Sequence, residues 1–255
     1  MSVERGFTAE LPAQTDPAIG QEVIRVRHDD GRVEEVHLHD YARVYALPGV
    51  YEQIVTDRLG CRSPWQIAGM LAGTVDRIGW RRERTRVVDL AAGNGVSGEA
   101  LASEGLTPVL GTDIVPAARD ACLRDRPGVY GQYRTLDLLD LSPEQRTAIV
   151  TLGANAVACV APVGDGPSQL PPRALAAAVA LLAADALVAY MFDPAAGAPD
   201  AVTTAMWVQT LGPGVQAGEL ERRRYVHRRT VNGEPYEMDG VVWRVVRGAS
   251  GPTTV

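Results

Sequence analysis

The stretch Arg86-Val-Val-Asp-Leu-Ala-Ala-Gly-Asn-Gly-Val-Ser-Gly98 decides the fold of this chain. From Arg86 to Leu90, two β-branched valines are followed by an acid without polar alternation, which predicts a short strand covered on both faces, as in a parallel sheet. The glycines that follow allow a sharp turn and a close approach of a ligand to the backbone. Val96 to Ser103 has the apolar spacing of a helix. Strand, turn and helix together predict a nucleotide-type site, where free N–H groups of the helix favour an anion such as a carboxylate.

Two kinds of ligand fit this turn. Gly93-x-Gly95-x-x-Gly98 matches the dinucleotide fingerprint literally, which keeps NAD(P) as an alternative. Asp89 opposes it, because a carboxylate just before the glycines would repel a pyrophosphate. Asp89-x-Ala91-x-Gly93-x-Gly95 instead resembles the first motif of class I S-adenosylmethionine (SAM) methyltransferases, usually Asp/Glu-x-Gly-x-Gly-x-Gly. SAM is cationic, so a nearby carboxylate favours it. Ala91 departs from the motif, and its methyl group is tolerable there if φ stays negative.

The resemblance implies an α/β, Rossmann-like class I methyltransferase fold with SAM as the cofactor. It assigns cofactor contacts to the first motif, namely to Asp89, Ala91, Gly93, Asn94 and Gly95. The run from Pro108 predicts a second strand that ends at Asp113, close to the ~20-residue spacing expected for an acid that binds ribose hydroxyls. Ile114, the next residue, is expected to lie against adenine.

The next two strands extend this assignment. Residues 132–139 predict a third strand, after which Asp137 accepts from the adenine amino group and the backbone of Leu138 bonds the ring; Asp140 is the competing acid. Pro143 to Arg146 reads as a short helix and Ala148 to Leu152 as the fourth strand. Gly153 and Ala154 would then border the cofactor, and Asn155 would orient a substrate. Residues 171–184 predict a buried alanine-rich helix, residues 186–192 the fifth strand, and residues 194–214 a loop with a short helix.

The chain end predicts how the sheet closes. Two β-rich runs, residues 221–230 and 236–247, flank Asn232-Gly233, which is a strong hairpin signal. A closing antiparallel hairpin is typical of the methyltransferase family and foreign to the NAD-binding fold. The resemblance therefore covers about residues 85–247.

Residues 1–84 are expected to form an arm, a hairpin and a helical lid, and residues 85–255 the SAM-binding domain, in one compact unit. Residues 1–20 read as a loose arm, and Asp30-Gly31 between alternating runs predicts a hairpin. Residues 40–59 read as two helices interrupted by Pro48-Gly49, and residues from Ser63, as N-cap, begin a third. In the family such a segment carries substrate contacts, which assigns that role to Tyr41 and Tyr45; a packing face with hydroxyls at its rim is the alternative.

Composition excludes several classes of function. A net charge of −6 and a pI near 5.3 argue against nucleic-acid and membrane-surface partners, which need a positive face. The chain has no lysine, which removes Schiff-base chemistry and a P-loop. The three cysteines lack metal-ligand spacing, so no metal is expected, and reduced core thiols fit a cytoplasmic protein. No apolar run reaches transmembrane length and no signal-peptide pattern is present.

The sequence thus predicts a SAM-dependent methyltransferase for a small-molecule acceptor, with O-methylation of a metabolite or natural product preferred. Base- and glutamine-methylating signatures (Asn/Asp-Pro-Pro-Tyr and Pro-Cys) are absent. In-line methyl transfer mainly needs alignment, and a hydroxyl acceptor benefits from a general base. His39 and His227 are the candidates, with surface or packing roles as the alternative. An NAD(P)-dependent oxidoreductase and a non-catalytic partner protein with this fold stay open, as does the oligomeric state.

Overall fold

A computed structural model describes residues 6–15, 17–166, 168–195 and 207–248. The elements in chain order are β1 (Phe7–Glu10), β2 (Val23–His28), β3 (Val33–His37), α1 (Tyr41–Ala46), a π-helix (Glu52–Arg58), α2 (Ser63–Arg77), a 3₁₀ turn (Arg82–Arg84), β4 (Arg86–Leu90), α3 (Val96–Ser103), β5 (Thr107–Asp113), α4 (Pro116–Asp125), β6 (Gln132–Thr135), α5 (Pro143–Thr151), β7 (Ala156–Pro162), α6 (Pro172–Val179), β8 (Asp185–Phe192), β9 (Val215–Arg229) and β10 (Pro235–Arg247).

The larger sheet has the order β6-β5-β4-β7-β8-β10-β9 over the described residues. Its strands from β4 to β8 pair in parallel, whereas β10 runs antiparallel to both β8 and β9. The predicted fold class and its closing hairpin are therefore confirmed. The chain order reverses between β4 and β7, and such a switch point opens a crevice at the carboxyl ends of the strands.

Both faces of this sheet are covered by helices. Val87 packs with α2 and α3, whereas Val88 and Leu90 pack on the side of α5 and α6, as the two-residue period of a strand dictates. Trp207 lies on the second side, fully buried, with its ring edge against Tyr190. The carboxyl end of β4, which leads into the glycine turn, is thus held between two apolar layers.

The N-terminal residues form a second sheet in the order β1-β2-β3, covered by α1 and the π-helix. The predicted hairpin is β2–β3, and the break at Pro48-Gly49 is also present. The prediction of a loose arm is wrong for β1, because Phe7–Glu10 pairs with β2. A buried ion pair ties this sheet to β9: the guanidinium nitrogens of Arg228 lie 2.7 and 2.8 Å from the carboxylate oxygens of Glu22.

The predicted fourth strand, residues 148–152, is wrong, because these residues continue helix α5 to Thr151. The N-terminus of this helix is stabilised by a reciprocal capping box between Ser142 and Gln145 and by Pro143 in its first turn. A short apolar run does not distinguish helix from strand by itself. The true fourth strand is β7, which begins at Ala156.

Smaller boundaries also differ from the prediction. Strand β6 ends at Thr135, so Asp137 lies in the loop beyond it, and α6 ends at Val179. Ser63 is the first residue of α2 and not its N-cap; its hydroxyl bonds His227 instead. Of the loop and short helix predicted for residues 194–214, residues 196–206 lie outside the described residues, as do residues 1–5, 16, 167 and 249–255.

None of the helices in the described part of the chain combines the length and apolarity needed to cross a bilayer.

Candidate functional site

A cavity of about 920 Å³ lies at the carboxyl ends of the central strands, under the N-terminal helices. The turn after β4, the loops after β5, β6 and β7, the loops that flank the N-terminal sheet, and α1 line it. Ligand pockets usually span roughly 300–1,000 Å³, so the cavity has room for a nucleoside cofactor and a small acceptor together.

The glycine turn after β4 is strongly bent. Gly93 and Gly95 have φ values of 53° and 90°, and α3 begins directly after Gly95. Ala91 also has a positive φ, 51°, so the condition that its φ stays negative is not met. A residue with a Cβ in this region costs roughly 1–2 kcal/mol. The glycine usual at this motif position therefore has a conformational reason, and this chain accommodates an alanine with strain.

The third glycine of the dinucleotide match has a packing role. A Cβ on Gly98 would collide with the ring of Tyr130, and a Cβ on Gly111 of β5 would lie 2.7 Å from the same ring. Tyr130 therefore needs a glycine on both sides. The Tyr130 ring explains why the third position of the Gly-x-Gly-x-x-Gly pattern is a glycine. The pattern is therefore no evidence of pyrophosphate binding in this chain.

Asp89 lies behind the turn and not on the cavity wall. Its Oδ2 accepts hydrogen bonds from the Tyr130 hydroxyl, at 2.5 Å, and from the Ser97 hydroxyl. Its Oδ1 is buried with no hydrogen-bond partner among the described residues. Burial raises the pKa of this carboxyl to about 7. Asp89, for which a cofactor contact was predicted, therefore does not line the cavity; its carboxyl supports the turn through Ser97 and Tyr130.

Asp113 lies at the end of β5 and lines the cavity, as predicted from its spacing. Its Oδ2 accepts from the N–H of Gly93 at 3.0 Å and its Oδ1 from the N–H of Val115 at 2.9 Å. These bonds join the glycine turn to the loop after β5. Burial raises the pKa of the Asp113 carboxyl. The backbone of Ile114 bonds this carboxylate as well, and of its roughly four acceptor positions at least one is left for a ligand hydroxyl. Ile114 beside it is 65% exposed and also lines the cavity.

The loop after β6 adds a second acidic position. Asp137 and Leu138 both line the cavity, whereas the competing Asp140 does not. The Oδ1 of Asp137 accepts from the N–H of Leu139 at 2.9 Å, which fixes an exposed carboxylate at the rim. Leu138 is buried and offers an apolar surface.

The assignment of Gly153, Ala154 and Asn155 to the site is wrong. They precede β7 and so lie at the amino edge of the sheet, where the Oδ1 of Asn155 accepts from the N–H of Arg86 at 2.7 Å. At the fourth parallel strand, the residues that line the cavity are Val160, Ala161 and Pro162 at the end of β7, and Ser168 to Pro171 in the loop that follows. These residues were not predicted because the fourth strand was placed at residues 148–152. The β-rich run Ala156-Val-Ala-Cys-Val could have indicated the true strand.

Tyr41 and Tyr45 line the cavity from α1. Their rings are stacked with centroids 5.7 Å apart, and Tyr45 lies directly over Gly93, where a Cβ would collide with its hydroxyl. Asn94 is held from the same side, since its side-chain amide donates to Glu52 of the π-helix at 2.6 Å. The sequence did not predict the contact of Glu52, which covers the turn together with Tyr45.

Both candidate histidines line this cavity. The Nδ1 of His227 lies 2.6 Å from the Ser63 hydroxyl, and burial lowers the pKa of His227 to about 3. Burial also lowers the pKa of His39, whose Nδ1 has no hydrogen bond of good geometry among the described residues. Both imidazoles are therefore neutral near pH 7. Tyr236, Arg228 and Asp193 lie beside them and were not predicted.

No protein-family model matches the sequence, and no curated protein matches it. Solved structures do match its fold. A proposed RNA methyltransferase from Pyrococcus horikoshii is 15% identical, with 75% of this chain and 86% of that chain covered and a TM-score of 0.52. A TehB-like SAM-dependent methyltransferase from Corynebacterium glutamicum is 16% identical, with 82% of this chain and 98% of that chain covered and a TM-score of 0.50. A SAM-dependent methyltransferase from Anabaena variabilis is 12% identical, with 84% of this chain and 96% of that chain covered and a TM-score of 0.51.

The strand order, the closing hairpin and these matches define the chain as one with the class I SAM-dependent methyltransferase fold.

Proposed function

We propose that this protein is a SAM-dependent methyltransferase for a small-molecule acceptor, with a hydroxyl group as the methylated position. The observation that supports this most is Asp113, a carboxylate at the tip of β5 that lines the cavity and is tied to the glycine turn through Gly93. A vicinal diol is a good partner for such a carboxylate, because both hydroxyls can donate to it. NAD(P) also contains ribose, but the third glycine of its fingerprint, Gly98, is required here by the ring of Tyr130 and so gives no support to a pyrophosphate.

The residues around the cavity fit a cationic nucleoside. Asp113 would hold the ribose, Ile114 would cover one face of adenine, and Asp137 and Leu138 would bond its edge. The backbone of the glycine turn and Asn94 would hold the amino-acid end. The cofactor, when bound, supplies a methyl group on a sulfonium, which an aligned nucleophile displaces.

The chain's own contribution would be alignment, exclusion of water and removal of one proton. Tyr41 and Tyr45 narrow the cavity above the turn. His39 is the better candidate to accept the proton of a hydroxyl, because its Nδ1 has no hydrogen bond of good geometry while Ser63 engages the Nδ1 of His227. The base must be neutral to work, so activity would fall at low pH, as His39 becomes protonated.

Calorimetry with SAM, S-adenosylhomocysteine, NAD and NADP tests the proposal. We expect the two adenosyl sulfur compounds to bind and the nicotinamide cofactors not to bind. Asp113→Ala should weaken SAM binding by at least tenfold, because it removes charge-assisted hydrogen bonds worth ~1.5–3 kcal/mol each. Asp120→Ala, an exposed aspartate on α4, is the matched control and should leave binding unchanged.

The same titrations separate the alternatives. Binding of NAD or NADP without SAM would replace the proposal with an oxidoreductase. Failure of SAM and S-adenosylhomocysteine to bind the folded protein would favour a non-catalytic partner that only shares the fold.

A further inference from the structure

Six of the residues that line the cavity, none of them in the glycine turn, form a wall of contacting side chains. We call it the acceptor wall, and it consists of His39, Tyr41, Asp193, His227, Arg228 and Tyr236. These side chains contact one another. The rings of His39 and Tyr41 are 5.7 Å apart, those of His227 and Tyr236 are 5.8 Å apart, and the Tyr236 hydroxyl donates to Asp193 at 2.6 Å. Tyr41 also stacks on Tyr45, which links this wall to the glycine turn.

The positive charge on the acceptor wall is already neutralised. Arg228 is the single arginine or lysine that lines the cavity among the described residues. Both its terminal nitrogens bond the carboxylate of Glu22, and one of them also donates to the carbonyl of Arg229. The side chains of Arg228 and Glu22 are 3% and 1% exposed, so the pair is desolvated and strongly held. An anionic ligand would find no free countercharge in this guanidinium.

The other ionisable groups on the wall add no positive charge. Burial lowers the pKa values of His39 and His227, so both rings are neutral near pH 7. The charged side chains that remain around the cavity are carboxylates, namely Asp40, Asp113, Asp137 and Asp193. An acceptor with a negative charge would lose its hydration beside these groups, and such a loss is costly without a partner.

The side chains of the acceptor wall also favour one shape of ligand. Four of its six side chains are aromatic rings or imidazoles, in edge-to-face pairs of 88° and 82°. Flat rings pack well against such surfaces, with about 0.5–1.5 kcal/mol per ring pair beyond area burial. We infer that the methyl acceptor is a flat aromatic compound without negative charge, and that aromatic carboxylates are excluded. This inference rests on the proposed function.

Matched aromatic probes test this selectivity. The first pair is 4-hydroxybenzamide and 4-hydroxybenzoate, which share a shape and differ in charge at pH 7.5; the second is 6-hydroxy-2-naphthamide and 6-hydroxy-2-naphthoate. Dissociation constants are measured by ligand-observed NMR, with and without S-adenosylhomocysteine. We expect each amide to bind at least tenfold more tightly than its carboxylate. Equal or tighter binding of the carboxylates would overturn the inference, and so would failure of both amides to bind.

A charge-removing variant tests the cause. Asp193→Asn should narrow the difference between amide and carboxylate, whereas Asp120→Asn, outside the cavity, should not. A difference unchanged in Asp193→Asn would contradict the electrostatic argument. The arm without cofactor keeps the two proposals apart: if S-adenosylhomocysteine does not bind, the proposed function fails, yet the amide preference is still measured.

Discussion

The buried carboxyl of Asp89 predicts how the stability of this protein depends on pH. Its pKa is raised by burial from an ordinary value of 3.8 to about 7. Below about pH 4 the carboxyl is protonated in both states, and its contribution to stability is fully present. As the pH rises from about 4 to 7, the unfolded chain ionises while the folded chain stays protonated, so stability falls. The total loss is about 4 kcal/mol, reached near pH 7 and constant above it.

Asp89→Asn removes this titration and keeps the shape. The amide oxygen can still accept from Tyr130 and Ser97, while its NH₂ lacks a partner where the Oδ1 now lies. That second effect does not depend on pH. The assay is urea unfolding of both proteins from pH 5 to 8, and the relevant quantity is the difference between their free energies of unfolding. This difference should change by about 2.5 kcal/mol in favour of the variant over this range.

Asp113 is also buried, so the wild-type curve contains its titration as well. The comparison with Asp89→Asn cancels that contribution, since Asp113 is present in both proteins. Asp120→Asn on the exposed face of α4 should follow the wild type at every pH. A difference between wild type and Asp89→Asn that stays constant within about 0.5 kcal/mol would refute the reasoning, because Asp89 would then titrate alike in both states.

Three further substitutions test the fold around the site by urea unfolding. Glu22→Ala should lower the free energy of unfolding by about 3–5 kcal/mol, because Arg228 is left buried without its partner; a loss under about 1 kcal/mol would contradict this. Ala91→Gly should raise stability by about 0.5–1 kcal/mol by relieving the positive φ, and a clear decrease would show that no strain exists there. Gly98→Ala should lower stability by about 1–3 kcal/mol through collision with the ring behind it, whereas Gly73→Ala in α2, with open space around it, should raise it slightly. Equal effects of the two glycine substitutions would count against the packing role of Gly98.

The fold was largely predictable because its signals are local. The strand β4, the glycine turn and the helix Val96–Ser103 follow one another within a short stretch, and the structure has that helix with the predicted bounds. Asn232-Gly233 marked the closing hairpin in the same way. The prediction of a strand from Ala148 was wrong because a short apolar run fits either a helix or a strand. The placement of Gly153 to Asn155 at the cavity depended on that strand and was therefore wrong as well.

The site was predictable only in part, because its contacts are long-range. The spacing of Asp113 from the glycines gave its place on the cavity wall. Of the two acids predicted to contact the cofactor, Asp113 lines the cavity and Asp89 does not, because the sequence does not tell on which side of a turn a buried carboxyl lies. Tyr130, which occupies that side, is 41 residues away from Asp89. Glu22 and Arg228 are 206 residues apart, and neither stands in a motif.

The most direct test of the account is a crystal structure of the protein with S-adenosylhomocysteine. We expect the ribose hydroxyls about 3 Å from the carboxylate of Asp113, adenine beside Ile114, and the sulfur directed towards the acceptor wall. A nucleoside bound without contact to Asp113, or bound outside this cavity, would contradict it.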